Sequence, residues 1–137
     1  MNAHDNSNNM EMAMTAIGNV KNLPAALKDP FEIFAMFEKN NKFEDMNGLT
    51  VQPLVIWYNE ESYKDGDSGE IEDDIKTYIL CQNGDDYAIY SGFSVTMRLK
   101  LQLLQNVFKD NLPQVSISKV SKGMKQEYSV TPIKPAK

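Results

Sequence analysis

The stretch Ile75-Lys76-Thr77-Tyr78-Ile79-Leu80-Cys81-Gln82-Asn83-Gly84-Asp85-Asp86-Tyr87-Ala88-Ile89-Tyr90-Ser91-Gly92-Phe93-Ser94 decides the fold. Ile75, Thr77, Ile79 and Cys81 alternate with Lys76, Tyr78 and Leu80, the two-residue period of a strand with two distinct faces. Asn83-Gly84 is a strong hairpin-turn signal, and Tyr87–Phe93 returns as the next strand. Ser94 then supplies a capping oxygen for a helix from Val95 to Lys109, in which Val95, Leu99, Leu103 and Val107 recur every four residues as an apolar face.

Working outward, Leu112-Pro113 ends that helix. Val115–Val120 and Glu127–Ile133 follow as a second hairpin around Ser121-Lys122-Gly123. Upstream, Leu49–Tyr58 is β-rich, and Pro53 in its middle marks a bend or an edge position. Asn59 to Asp74 reads as a polar loop with eight acidic residues. Asp29-Pro30 opens a helix, since Asp caps well and proline at the first helical position loses no needed hydrogen bond. Phe31, Phe34, Met36 and Phe37 give that helix an apolar stripe expected to pack on the core, and Asn40-Asn41 ends it. Residues 1–22 form a polar, Asn-rich tail. Its Met10, Met12 and Met14 are adaptable apolar anchors suited to docking on a neighbouring copy, and so are candidate oligomerisation residues.

The element order is strand, strand, strand, helix, strand, strand, preceded by an extra helix. A five-stranded Greek-key barrel of the OB-fold type has that order, with its helix between the third and fourth strands. Closure of the barrel would remove exposed strand edges. The expected fold class is therefore mainly β, a five-stranded OB-fold with an N-terminal helix and tail. The division is 1–22 tail, 23–46 helical segment, 47–133 OB-fold domain and 134–137 short basic tail.

Composition excludes several functions. With 137 residues the chain suits one domain, and its 42% apolar content can build one core. One cysteine, Cys81, excludes an intramolecular disulfide, and with His4 as the only histidine a zinc site lacks ligands. The longest apolar run, Leu54-Val55-Ile56-Trp57-Tyr58, is far too short to span a membrane, and no secretory leader is visible, so a cytoplasmic protein is expected. The acidic segment from Asp65 fails the calcium-loop template: its sixth position is Glu70 rather than Gly and its twelfth is Lys76. No phosphate-binding Gly-rich loop or nucleophile motif occurs, so neither catalysis nor a cofactor is expected.

The net charge of −5 conceals an asymmetry. Residues 1–95 carry 17 acids against six lysines, whereas residues 96–137 carry seven lysines and Arg98 against Asp110 and Glu127. A cationic third on an anionic chain can act as a local polyanion site, because potential decays over a Debye length of ~8–10 Å.

With the run Asp86-Tyr87-Ala88-Ile89-Tyr90-Ser91 before the helix and a Lys-rich last hairpin, the segment from Asn47 to Ile133 resembles the small OB-fold single-stranded DNA-binding proteins of Gram-positive phages and conjugative plasmids. The basic end Ile133-Lys134-Pro135-Ala136-Lys137 departs from the acidic tail of housekeeping bacterial single-strand binders. The resemblance implies non-catalytic binding of single-stranded DNA with little sequence preference, with RNA and duplex DNA left open as partners. Self-association along the strand would make it cooperative. Bases would stack on aromatic faces and lysines would meet phosphates. An inward Ile79 turns Lys76 and Tyr78 outward, and an inward Ile89 turns Tyr90 outward beside Tyr78. Trp57, Tyr58 and Tyr63 enter the first loop, and Lys119, Lys122 and Lys125 surround the last turn. These nine are the expected nucleic-acid-binding residues. The competing expectation is a protein–protein adaptor or structural component of a phage or plasmid system.

Overall fold

The structure, a computed structural model, describes residues 11, 14–18, 27, 29–39, 41–64, 69, 71–123 and 125–135, with only the backbone path at 63–64, 71–73, 122, 125 and 126. Local signals set the helix starts as expected. In α1 (Pro30–Glu38) the Asp29 carboxylate accepts from the Phe31 amide at 3.0 Å. In α2 (Val95–Phe108) the Ser94 hydroxyl accepts from the Met97 amide at 3.1 Å. A two-residue strand β1 (Asn41–Lys42) leads into a 3₁₀ turn, Phe43–Met46. Then follow β2 (Leu49–Lys64), β3 (Ile71–Asn83), β4 (Asp86–Gly92), α2, β5 (Val115–Lys122) and β6 (Lys125–Pro132).

The chain is mainly β, as its sequence implies, but it has six strands in one curled sheet of order β1-β4-β3-β2-β5-β6. All pairings are antiparallel except the parallel β1–β4 contact. The segment expected to be an acidic loop is largely ladder: β2 and β3 remain paired out to Lys64↔Ile71. Pairing set by the apolar middle of the hairpin carries the backbone onward through residues of poor strand propensity, because each further pair satisfies backbone groups.

A register shift between Pro53 and Val55 switches which face of β2 points where. Leu49 and Val51 before it, and Ile56 and Tyr58 after it, all face the inner cluster, while Leu54, Val55 and Trp57 face the other side. Proline in a central strand is tolerated at such a bulge, where the ladder is already interrupted.

Two cores result, one on each side of β2–β3–β4. The inner one holds Ile56, Ile79, Cys81, Tyr90, Val115 and Ile117 against Met97, Leu101 and Leu104 of α2. The outer one holds Val55, Trp57, Tyr78, Leu80 and Ile89 against Ile33 and Met36 of α1, with Ile17 and Leu27 also buried there. One expectation about the helices holds in part, since Met36 and Phe37 of the α1 stripe do pack on the core, and the other fails. On α1, Ile33 and Met36 are buried while Phe31 and Phe34 are exposed. On α2, Met97, Leu101 and Leu104 are buried, and the four-residue repeat Val95, Leu99, Leu103, Val107 faces solvent. Both faces of each helix are apolar, so spacing alone does not choose between them.

Between β4 and β6 the 3₁₀ turn fills the seam. The buried Phe43 ring meets Tyr128 of β6 edge-on, centroids 6.2 Å apart, and lies over Gly92 of β4. A Cβ at Gly92 would sit 2.8 Å from Phe43 Cδ2, so glycine there makes room for the ring. Gly48 N donates to Ile117 O at 2.8 Å, and Lys119 N donates to Asn47 Oδ1 at 2.8 Å, tying the same turn to β5.

Replacing Leu101 by Ala should cost ~2–5 kcal/mol through cavity formation, while Leu103→Ala should stay within ~0.5 kcal/mol. Urea unfolding of both variants checks which face of α2 is core; equal losses would contradict this assignment.

Candidate functional site

The rings expected to receive bases are already stacked. Trp57 lies parallel to Tyr78, centroids 5.2 Å apart at 2°, and Phe37 of α1 covers Tyr78 at 5.8 Å and 16°. Trp57 and Tyr78 are 7% and 3% exposed, so neither offers a free face. The Tyr78 hydroxyl donates to the Glu61 carboxylate. Burial, and then the hydrogen bond and charge of Glu61, push the Tyr78 phenol far above its ordinary range. The Trp57 indole N–H has no hydrogen-bond partner among the described residues.

Tyr90 fails for a different reason. It pairs with Ile79 and joins the inner core, whereas Ile89 pairs with Leu80 and joins the outer one. The expected orientation of β4 was therefore inverted: Tyr90 and Tyr78 lie on opposite faces of the sheet. Tyr58 also faces inward, half-buried, its hydroxyl donating to Gln105 Oε1. Burial pushes its phenol up to about 12, partly opposed by the Arg98 charge.

Cations gather elsewhere, at the seam. A cleft of about 590 Å³ opens there, lined by Lys42, Lys76, Lys119, the carboxylate of Glu44, Phe93 and the hydroxyl residues Ser91, Ser94 and Thr96. Lys42 is exposed. Lys76 Nζ stands 5.5 Å from the Tyr78 ring centroid and 5.6 Å from that of half-buried Phe93. Its nearest carboxylate oxygen, on Glu61, is 3.9 Å away, and Lys119 lies 3.7 Å from Glu44. Both are ion pairs at separations longer than a hydrogen bond, so a carboxylate offsets each charge while the ammonium donors are not spent on it. The N-terminal end of α2 borders the same cleft and adds the positive end of a helix dipole. Cation, hydroxyl and ring together suit an anionic group attached to a planar one.

Of the expected binding residues, the fold brings Lys76 and Lys119 together here and leaves Trp57, Tyr58, Tyr78 and Tyr90 inside the protein. Tyr63, Lys122 and Lys125 have side chains outside the described residues, although Lys122 pairs with Lys125 across the end of the β5–β6 hairpin. Met10 and Met12 also lie outside them. Met14 is half-buried against the outer core of its own chain. Lys42 and Phe93 were missed. Lys42 reaches the cleft only through the β1–β4 pairing, and Phe93, at the end of the expected third strand, carries no local signal of a site. Burial pushes the Cys81 thiol up to about 12, which makes it a packing residue rather than a nucleophile.

No protein-family model, curated protein or solved structure matches this chain. No helix among the described residues is long and apolar enough to cross a membrane, and no group of three His, Cys, Asp or Glu among them could hold a metal ion.

Two measurements check this geometry. Acrylamide should quench Trp57 emission several-fold less in the native chain than in the urea-unfolded one; equal quenching would mean that α1 does not cover the ring. The buried phenols retain protons that the unfolded chain releases near pH ~10, so stability is fully present below that pH and falls as pH rises from about 10 toward 12. Tyrosinate absorbance and far-UV circular dichroism followed together should show Tyr58 ionising late, with or after loss of structure.

Proposed function

We propose that the chain is a non-catalytic single-stranded DNA-binding protein of the cytoplasm, built as an OB-type barrel, with its ligand path across the seam cleft. The order β4-β3-β2-β5-β6 with α2 between β4 and β5 supports the fold part of this reading, since β2–β6 then correspond to the five OB strands. The 3₁₀ turn takes the place of direct pairing between β4 and β6. The observation that carries the function is the convergence of Lys42, Lys76 and Lys119 on a cleft that also holds Phe93. Phosphates would meet the lysines, and a base would lie against Phe93. Lys122 and Lys125, at the tip of the hairpin that carries Lys119, would extend the path. The resemblance to phage and plasmid single-strand binders supports a phage or plasmid setting for this activity.

Fluorescence anisotropy of labelled oligo-dT should show binding that weakens steeply between ~50 and ~200 mM salt. Each of Lys42→Gln, Lys76→Gln and Lys119→Gln should lower the slope of log affinity against log salt by ~0.7, the single-strand value per phosphate contact. The triple variant should lose most of the affinity, and Lys122→Glu/Lys125→Glu should weaken it further. Absence of binding at ~50 mM salt would overturn the proposal. One observation favours a protein–protein adaptor instead: the exposed aliphatic row on α2. An adaptor would show no oligonucleotide affinity at any salt.

A further inference from the structure

Two helix faces on this molecule lie uncovered, and they differ in charge. On α1, Phe31 and Phe34 are 85% and 53% exposed, one turn apart, beside Asp29, Glu32 and Glu38, with Lys39 as the one cation of this helix among the described residues and Lys28 preceding Asp29 in the sequence. On α2, Val95, Leu99, Leu103 and Val107 are 49–61% exposed along successive turns. That helix contains Arg98 and Lys100 and no acid, and Lys109 and Asp110 follow its end. Scattered exposed hydrophobes need no explanation, but contiguous rows on a helix mark contact surfaces.

We propose that the α1 face of one copy of this chain docks on the α2 face of the next, a head-to-tail contact. Charge selects this pairing from the three that two faces allow. A symmetric α2–α2 contact would bring Arg98, Lys100 and Lys109 of both copies together, and a symmetric α1–α1 contact would do the same with three acids on each side. The mixed contact sets the net-negative flank of α1 against the net-positive flank of α2 around a shared apolar strip, whereas in the symmetric contacts Lys39 or Asp110 offsets only part of the like charge. The anchors of the two helices make the arrangement possible. Ile33 and Met36 fix α1 to the outer core, while Met97, Leu101 and Leu104 fix α2 to the inner one. The faces thus point away from opposite sides of the sheet, and one copy can give and accept at once. A contact of this kind propagates as a row unless its rotation closes a ring. Each face is one short helix stripe, well below the ~800 Å² per partner of a stable complex, so free copies associate weakly and with strong concentration dependence.

Sedimentation velocity of the full chain, from about 10 μM to several hundred μM, tests this. The weight-average mass should rise steadily with concentration and pass that of a dimer. Phe31→Lys/Phe34→Lys should hold the chain at monomer mass, and so should Leu99→Glu/Leu103→Glu. Mixed in equal amounts, these two variants keep one intact face of each kind and should stop at a 1:1 dimer. Met10→Ser/Met12→Ser should leave self-association unchanged. All four helix sites are exposed, so far-UV circular dichroism should stay native and separate lost contact from lost fold. A wild-type chain that stays monomeric throughout overturns the proposal. So does an α1 variant that still self-associates, which would mean symmetric α2 pairing, or a mixture that fails to dimerise. Because the assay contains no nucleic acid, its outcome is independent of the single-strand-binding reading.

Discussion

Burial of β2–β3–β4 on both faces is the constraint on which the remaining structure depends. A sheet covered on one side only would leave Trp57 and Tyr78 as a wet aromatic surface. Here α1 and the helical residues 14–18 lie on that side, and Phe37, Tyr78 and Trp57 form a continuous stack beneath them. The bulge after Pro53 is what makes this possible. Without the one-residue switch, Trp57 would point into the inner core and Ile56 would point out, because each residue slipped reverses the faces of a strand. The stack also disposes of the carboxylate at Glu61, which accepts the Tyr78 hydroxyl and lies near the Lys76 ammonium.

With both broad faces closed, cations among the described residues meet an opening at the seam. Lys42, Lys76 and Lys119 come from three different strands and converge because the 3₁₀ turn occupies the seam between β4 and β6. Phe43 sets the width of that seam: its ring rests on Gly92 and against Tyr128. Glu61 and Glu44 offset Lys76 and Lys119 at 3.9 and 3.7 Å, while screening confines the effect of the more distant carboxylates on Lys42. Proximity matters more than the total.

The parts of this architecture that were legible in the sequence are those governed by neighbours in the chain. Asp29-Pro30 and Ser94 cap their helices because capping is settled within three residues. The tight turn at Gly84-Asp85 is similarly local, with Gly84 in the left-handed region at φ 65°. What could not be read depends on contacts distant in sequence. Tyr87–Ser91 is apolar on both faces because both are buried, so alternation gave no hint that Tyr90 points inward and Ile89 outward. In α2 two apolar stripes compete, and only the inner core shows that Met97, Leu101 and Leu104 take the buried side. The seam cleft was invisible for the same reason: Lys42 is far from Lys119 in sequence, and pairing rather than spacing brings them together. Charge density points to the lysines of the last hairpin, whereas the rings depend on tertiary packing: Tyr78 lies on the expected face but beneath Phe37 of α1, and Tyr90 lies on the opposite one.

Val95 connects the two surfaces on which the proposals rest. It lines the seam cleft, and it is also the first residue of the exposed row on α2. A neighbouring copy seated along that row would end beside the cleft and bring carboxylates toward it in either helix direction, Asp29 and Glu32 from the start of α1 or Glu38 from its end. Those carboxylates would compete with a phosphate for Lys76 and Lys119. Ligand and neighbour would thus meet at a common boundary, and the proposed row and the proposed occupation of the cleft would oppose each other by the same factor in both directions.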